Sequence, residues 1–361
     1  MNDMPQKLAM YLAKLKEKTT THAGYPYNLN YNYDELIPFL KFSLNNLGDP
    51  FVRSNYQIES REFELEVLEF FAELYKCSNW WGYITHCGTE SNLHAMLLAR
   101  EYYPNGVLYF SEDTHYSIKK AAKIFCIPYK EIKSQSNGEL DYQQLYHELD
   151  STRPVILNLN IGTTFKGAID DINQISACFE EKGIKEYYIH CDAALGGMLV
   201  PYLAPDMINF HANIHSIAIS GHKFIGVPFP CGIILTYKSV AKKFCNFIEY
   251  LNSNDATISG SRNGHAALFL WYSIMQRKDE FKTEVETCRL NAEYFAKKMC
   301  DNQQNCLLNN YSTTLVFDLP NPGLVDKWQL AVLGKQAHFI VMQNHSKETI
   351  DQFINEYLAF R

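Results

Sequence analysis

A lysine set at the end of a buried strand is the most telling choice in this sequence. Ser220-Gly221-His222-Lys223 follows the apolar run 214–219 and precedes a Gly/Pro-rich stretch, 224–232. Burial penalises an ammonium group, lowers its pKa and frees the amine as a nucleophile. A lysine is ordinarily solvated surface, but a place between a hydrophobic strand and Gly226-Val227-Pro228 argues against that here. Upstream, a second strand-like run, Tyr187-Tyr188-Ile189-His190-Cys191, ends in Asp192-Ala193-Ala194. Alone, such an aspartate caps a helix as readily as it binds a ligand.

A strand-end acid followed by a strand-end His-Lys is the order expected of an enzyme that uses pyridoxal 5'-phosphate (PLP). The lysine then forms the Schiff base, and the acid holds a proton on the pyridine nitrogen so that the ring accepts carbanion electrons. Other residues suit the same ligand. Gly88-Thr89-Glu90-Ser91-Asn92 opens a helix after a strand, and its free N–H groups and small hydroxyl side chains suit a phosphate. The plainer reading is a helix start with Thr89 as the cap. His115, in Asp113-Thr114-His115-Tyr116-Ser117, offers a flat ring to stack on a pyridine, or is simply structural. Ala194 lies two residues past Asp192, on the same side of an extended chain, and leaves room for the opposite ring face. Ser220 and His222 could reach the phosphate. Thr163 and Thr164 could bond the cofactor's phenolic oxygen, or merely end a strand. Ser261, in Ser259-Gly260-Ser261-Arg262-Asn263, marks a second polar turn ahead of a helix. It suits an anion, either a substrate carboxylate or the cofactor phosphate of a neighbouring subunit. His190, Cys191 and Asp192 point alternately to opposite faces, so they do not share a metal ion, and no metal is expected.

The elements that must position these residues are legible as alternation. Strand-like runs at 80–86, 107–110, 124–129, 154–161, 187–191, 215–219 and 232–237 are separated by helical segments, one of them at 93–103. This predicts an α/β fold, a mostly parallel sheet with helices on both faces, whose ligands bind at the carboxyl ends of strands. Beyond about residue 250 helical patterns dominate (266–275 and 281–299), with short strands at 313–317 and 337–342 and a last helix at 349–360. Residues 1–20 space Leu8, Tyr11, Leu12 and Leu15 as an amphipathic helix, not a secretory signal. The expected division is an N-terminal helical segment, 1–45, a large ligand-binding domain, 46–250, and a small α+β domain, 251–361.

Composition removes other classes. The 361 residues are 47% hydrophobic and 20% charged, ordinary for a globular protein. A net charge of −7 without a basic block argues against nucleic acid. No apolar run reaches the roughly 18 residues of a membrane span. Ten cysteines without a Cys-x-x-Cys pair suggest reduced thiols in a cytoplasmic protein.

Taken together, 88–92, 113–117, Asn160-Ile161-Gly162-Thr163-Thr164, 190–195, 220–223 and Pro228-Phe229-Pro230-Cys231-Gly232 resemble, in order, the group II PLP-dependent amino-acid decarboxylases. More narrowly the chain is similar to bacterial histidine decarboxylases and plant serine decarboxylases, from Gly24-Tyr25-Pro26 to the C-terminal helix. The resemblance implies PLP fold type I (aspartate aminotransferase-like) and a homodimer with active sites at the interface. It implies Lys223 as the cofactor-bearing lysine, Asp192 on the pyridine nitrogen and His115 stacked on the ring. Tyr56, in Ser54-Asn55-Tyr56, falls in a block that lines the family's substrate pocket. Two departures stand out: Ser91 replaces the family's glycine, and His86-Cys87 replaces Asn-Gly or Asn-Cys. Gly48-Asp49-Pro50-Phe51 and Cys87-Gly88 look like the serine branch. Asp113-Thr114-His115 and Asp192-Ala193-Ala194-Leu195 look like the histidine branch, and the balance leans narrowly to histidine. The rivals are a cysteine desulfurase, for which Cys245 sits in an unsuitably apolar context, an aminotransferase, and a PLP-binding homologue without turnover, for which Ser91 is the sole support.

Overall fold

A computed structural model describes residues 4–359. Met1 to Asp3 and Phe360, the outermost parts of the expected terminal helices, lie outside the described residues. Seven strands form the central sheet: β1 (Trp80–Thr85), β2 (Val107–Ser111), β3 (Tyr129–Ile132), β4 (Val155–Asn160), β5 (Tyr187–Asp192), β6 (Ser216–Ser220) and β7 (Gly232–Tyr237). Their order is β1-β7-β6-β5-β4-β2-β3. β7 runs antiparallel to β1 and β6, and the remaining pairs are parallel. Strands β2, β4 and β6 are buried along their whole length, as an apolar run without alternation requires when helices cover both faces.

One core packs Phe71, Leu157, Ile219, Leu235 and Ile274 against one face of the sheet. A second packs Tyr83, Met96, Phe110, Ile118 and Tyr188 against the other. A third surrounds an antiparallel sheet built from Cys306–Leu308, Thr314–Asp318, Gln336–Ile340 and Ala331–Leu333, and is dominated by Phe295, Phe317, Trp328, Phe339 and Phe353.

Register places chemistry along one edge of the large sheet. Asn160 pairs with Asp192 across β4 and β5, and Asp192 with Ala218 across β5 and β6. Gly232, at the start of antiparallel β7, pairs with both Ser220 and Thr85. That edge therefore carries the carboxyl ends of β1, β4, β5 and β6 side by side.

Three expectations move. The third strand lies at Tyr129–Ile132, because the apolar run begun at Ile124 continues the helix Tyr116–Ile124. Ile118, Ala121 and Ala122 are buried at helical spacing, and Cys126, at φ +53°, turns the chain afterwards. The helix expected at 93 starts at Gly88, with Cys87, not Thr89, in the cap position. The change of core also falls later than residue 250. Helix Gly264–Arg277 packs into the large core, and helix Phe281–Asp301 serves both, with Val285 and Cys288 in the large core and Ala292 and Phe295 in the small one.

The N-terminal segment straddles these bodies. Helix Met4–Thr19 buries no residue. Ala23 joins the small core, and the chain then crosses to the loop carrying Lys223. There the Asn28 N–H donates to the Lys223 carbonyl at 3.0 Å and the Tyr33 hydroxyl to the Gly226 carbonyl at 3.2 Å.

Candidate active site

The carboxyl ends of β1, β2, β4, β5 and β6 converge on one cavity. From β1, the chain enters helix Gly88–Tyr102, whose first N–H groups have no intrahelical acceptor. Gly88 and Thr89 line the cavity. A Cβ at Gly88 would stand 2.7 Å from Ser220 Oγ, so the glycine leaves open a cradle between the helix start and the end of β6. Ser220 and His222 line the same end, with His222 Nδ1 fixed 2.8 Å from the Cys231 carbonyl oxygen.

From β2 comes His115, the N-cap of helix Tyr116–Ile124. Its Nδ1 accepts from the Ser117 N–H at 3.3 Å and lies 2.7 Å from Ser117 Oγ. Burial lowers its pKa; the Asp192 charge opposes this, while Lys223 and Lys120 add to it. From β5 comes Asp192, 5% exposed. Its Oδ2 accepts from Asn92 Nδ2 at 2.7 Å and its Oδ1 from the Ala194 N–H at 3.1 Å. Ala194 adds only a methyl group to the cavity wall. Lys223, three residues past β6, faces the same space. Burial lowers its pKa and the Asp192 charge partly offsets that, a shift in the direction that favours a nucleophilic amine.

From β4 come Asn160 and Thr163. Thr163 Oγ1 accepts from the Ala168 N–H at 3.0 Å. The Asn160 amide donates to Asp170 Oδ2 at 2.8 Å and to Thr114 Oγ1 at 3.1 Å. Asp170 is enclosed, and its carboxyl is pushed up to about 6 by burial.

Four residues expected at the site do not line this cavity. Ser91 turns its hydroxyl into the sheet, 2.7 Å from Thr85 Oγ1, in space kept open by the missing Cβ of Gly232. The serine that replaces the family's glycine is thus housed behind the loop, away from the phosphate side. Glu90 turns away from the cavity, buried against the His86 N–H and ring and the Tyr83 and Ser259 hydroxyls. Tyr56 donates to the Ser43 carbonyl at 2.9 Å, and Ser261 is exposed beside Asn45. Conversely, the cavity includes Asn92, Asn160, Tyr27 and Tyr116, which the motifs did not single out as site residues. Asn92 had a usable signal, since it stands four residues from Gly88 on the same helix face. Tyr27 had none, because its place depends on the crossing of the N-terminal segment.

This donor set fits PLP. Helix amides and hydroxyls surround a space that only a glycine leaves open, a carboxylate is held ready for a ring nitrogen, and an imidazole and an amine share the cavity. Among the described residues no group of His, Cys, Asp or Glu is arranged to hold a metal ion, and no helix is long and apolar enough to cross a membrane.

A family model for the pyridoxal-dependent decarboxylase conserved domain matches residues 59–319. Serine decarboxylase 1 of Oryza sativa subsp. japonica is 43% identical over 98% of this chain and 75% of its own length. Histidine decarboxylase of Solanum lycopersicum is 42% identical over 98% of this chain and 88% of its own. Histidine decarboxylase of Vibrio campbellii is 40% identical over 93% and 90%. Among solved structures, L-methionine decarboxylase from Streptomyces sp.590 superposes with a TM-score of 0.88 at 25% identity, covering 99% of this chain and 95% of that one.

Proposed function

The chain belongs to the family of pyridoxal-dependent decarboxylases, and from that premise we propose which of its residues do the work and on which amino acid. The observation that carries the assignment is the convergence of Lys223, Asp192 and His115 on one cavity, close enough for their charges to shift one another. PLP, when bound, supplies the electron sink that accepts the bonding pair as the substrate's α-carboxylate leaves as carbon dioxide. Lys223 would be the amine that holds the cofactor. Asp192 keeps a proton on the ring nitrogen by a charge-assisted hydrogen bond. His115 and Ala194 would border the ring. Gly88, Thr89, Ser220 and His222 hold the phosphate, and Thr163 the phenolic oxygen. A proton then returns to Cα, so that substrate and one proton give a primary amine and carbon dioxide. Lys223 suits that return, since its amine stands inside the cavity with a lowered pKa.

The substrate lies between L-serine, giving ethanolamine, and L-histidine, giving histamine. Whole-chain identity favours serine, at 43–44% to the serine decarboxylases of Oryza sativa against 39–42% to the histidine decarboxylases. The Asp113-Thr114-His115 and Asp192–Leu195 blocks favour histidine, and the rings of Tyr27, Tyr116 and His222 around the cavity offer an imidazole stacking surfaces. Incubation of the PLP-loaded protein with each amino acid decides. Ethanolamine or histamine, matched by carbon dioxide, names the substrate; neither product refutes both readings.

The chain also reads as a homodimer with its sites at the interface. Helix Met4–Thr19 buries nothing while exposing Leu8, Tyr11, Leu12 and Leu15. Tyr56 and Ser261, which stand outside their own cavity, would then serve the cavity of the second copy. Light scattering of the holoenzyme tests this, and a monomer with full activity refutes it. A cytoplasmic location suits ten free thiols.

A further inference from the structure

Behind the cavity wall, a chain of buried polar groups joins the two residues assigned to the ring, and its arrangement is fixed by what each atom can donate. Ser216 and His190 are register partners on β6 and β5, and Ser216 Oγ lies 2.9 Å from His190 Nδ1. His190 Nε2 lies 2.9 Å from Asn92 Oδ1. Asn92 Nδ2 donates to Asp192 Oδ2 at 2.7 Å and to Ser117 Oγ at 2.9 Å. Ser117 Oγ lies 2.7 Å from His115 Nδ1. Asn92, Ser117, His190 and Ser216 are all buried to within 1%.

A carboxylate only accepts, so the Asn92 nitrogen must face Asp192 and its oxygen must face His190. His190 Nε2 therefore carries a hydrogen, and its Nδ1 accepts from the Ser216 hydroxyl. The Ser117 N–H donates to His115 Nδ1, so that nitrogen accepts, and the Ser117 hydroxyl, which takes the Asn92 hydrogen, gives its own hydrogen to the same Nδ1. His115 is left with its proton on Nε2.

We propose that Asn92 and His190 are positioning residues: one amide, oriented by His190, aims the Asp192 carboxylate with one hydrogen and, through Ser117, sets the tautomer of His115 with the other. The partner of the ring nitrogen and the imidazole on one ring face are thus adjusted by a single side chain. Burial suits His190 to this task, because it holds the imidazole pKa down to about 4 and so keeps one nitrogen donating and the other accepting at neutral pH. The charged groups that face His115 are Asp192, Lys223 and Lys120, and the Tyr116 ring lies 4.1 Å from it.

The proposal rests on the assignment of Asp192 and His115 to the cofactor ring, but its test does not need turnover. Full-length protein labelled with nitrogen-15 in its histidines, with and without PLP, reports the tautomer and pKa of His115 by NMR, and PLP titration reports the affinity. Asn92→Ala is expected to move both: His115 becomes a mixture of tautomers with a raised pKa, and PLP affinity falls about 10–100-fold, as loss of a charge-assisted hydrogen bond implies. Ser117→Ala moves the His115 signal and leaves PLP affinity close to wild type. His190→Leu moves both readouts, and His190→Gln, which can still donate to Asn92 Oδ1, restores them. An unchanged His115 signal in Asn92→Ala overturns the proposal. Should that variant not fold, an unchanged signal in Ser117→Ala overturns it equally. Wild-type NMR as expected without product from any amino acid would instead refute the decarboxylase assignment alone.

Discussion

The cavity has two unlike sides. The inner wall is made by strand ends, where Asp192, Asn160 and Ser220 are 5% exposed or less and locked by sheet register. The outer rim is made by segments far apart in sequence: Tyr27 from the N-terminal crossing, Tyr116, which is 61% exposed, and His222 beside the Pro228-Phe229-Pro230 loop. In the inner wall Asp192 accepts from Asn92 and the Ala194 N–H, and Asn160 donates to Asp170 and Thr114. Tyr56 and Ser261 stand outside the rim, bonded instead to the Ser43 carbonyl and to Asn45. The contrast separates chemistry from choice. Under the proposed assignment, bond breaking would rest on the wall and discrimination between amino acids on the rim.

The comparison breaks most sharply at Lys223. Lys223→Ala is expected to lower kcat by on the order of 10³-fold or more, as loss of a group that acts covalently does. Borohydride reduction and mass spectrometry of the wild type should find PLP on the peptide that contains Lys223. Attachment at another lysine would place the chemistry elsewhere. Asp192→Asn comes next. It removes the charge that stabilises the protonated ring, with an expected loss of about 10²–10³-fold in kcat and cofactor still attached. Wild-type turnover in this variant, measured by carbon dioxide release, would remove Asp192 from the assignment.

That division also explains what the sequence disclosed. Strand-end residues such as Asp192 and Lys223 betray themselves because an acid and a lysine after apolar runs are costly unless used. The large sheet was legible for the same reason, since its runs are apolar without alternation. The third strand was misplaced because Ile124-Phe125-Cys126-Ile127 is apolar enough for either element, and only the burial of Ile118, Ala121 and Ala122 extends the helix. Tyr27 was illegible, as its ring meets that of His222 at 5.8 Å from a segment almost 200 residues away. That Ser91 and Glu90 stand off the cavity was hidden, because a motif gives residue types in order, but not which way each side chain turns from the helix.

Stability offers a milder way to test the frame behind the wall. Arg262 and Glu64 form a fully enclosed ion pair. Arg262 Nη2 also donates to the Gly48 carbonyl at 2.9 Å, and Glu64 accepts from the Ile84 N–H and Asn46 Nδ2, each at 2.9 Å. Arg262→Ala leaves a buried carboxylate without its cation, so a loss of about 3–5 kcal/mol is expected in chemical denaturation. A loss under about 1 kcal/mol, the size of an exposed pair, would show that the segment around Arg262 is held by other contacts.

Acid should act on the same interior. Burial lowers the pKa of His94 to about 3 and of His190, His215 and His345 to about 4, against 6.5 when exposed. Between these values the unfolded chain binds protons that the folded chain does not, so stability is complete above about pH 6.5 and is lost as pH falls toward 4. A tenfold difference in proton affinity between the folded and unfolded chain is worth about 1.4 kcal/mol. His94 is the cleanest probe, because among the described residues neither ring nitrogen has a hydrogen-bond partner and the ring stacks on Trp81 at 5.5 Å. His94→Phe should flatten the fall in melting temperature between pH 6.5 and 4 while changing little at pH 7.5. An unaltered slope would mean that His94 is protonated without penalty.

The smallest effect is expected where the motif was most suggestive. A serine in a phosphate loop invites the reading that it binds phosphate, and that its departure from the family's glycine impairs the site. Ser91 Oγ is instead 2.7 Å from Thr85 Oγ1 and 3.4 Å from the Cys87 carbonyl, so it braces the helix against β1. Ser91→Gly deletes that hydrogen bond and loosens the helix backbone, costing about 1–2 kcal/mol of stability. PLP affinity and kcat should stay within about threefold of wild type, since the differential interaction lost is under 1 kcal/mol at the cofactor. A large fall in affinity without loss of stability would return Ser91 to the phosphate and redraw the boundary between wall and frame.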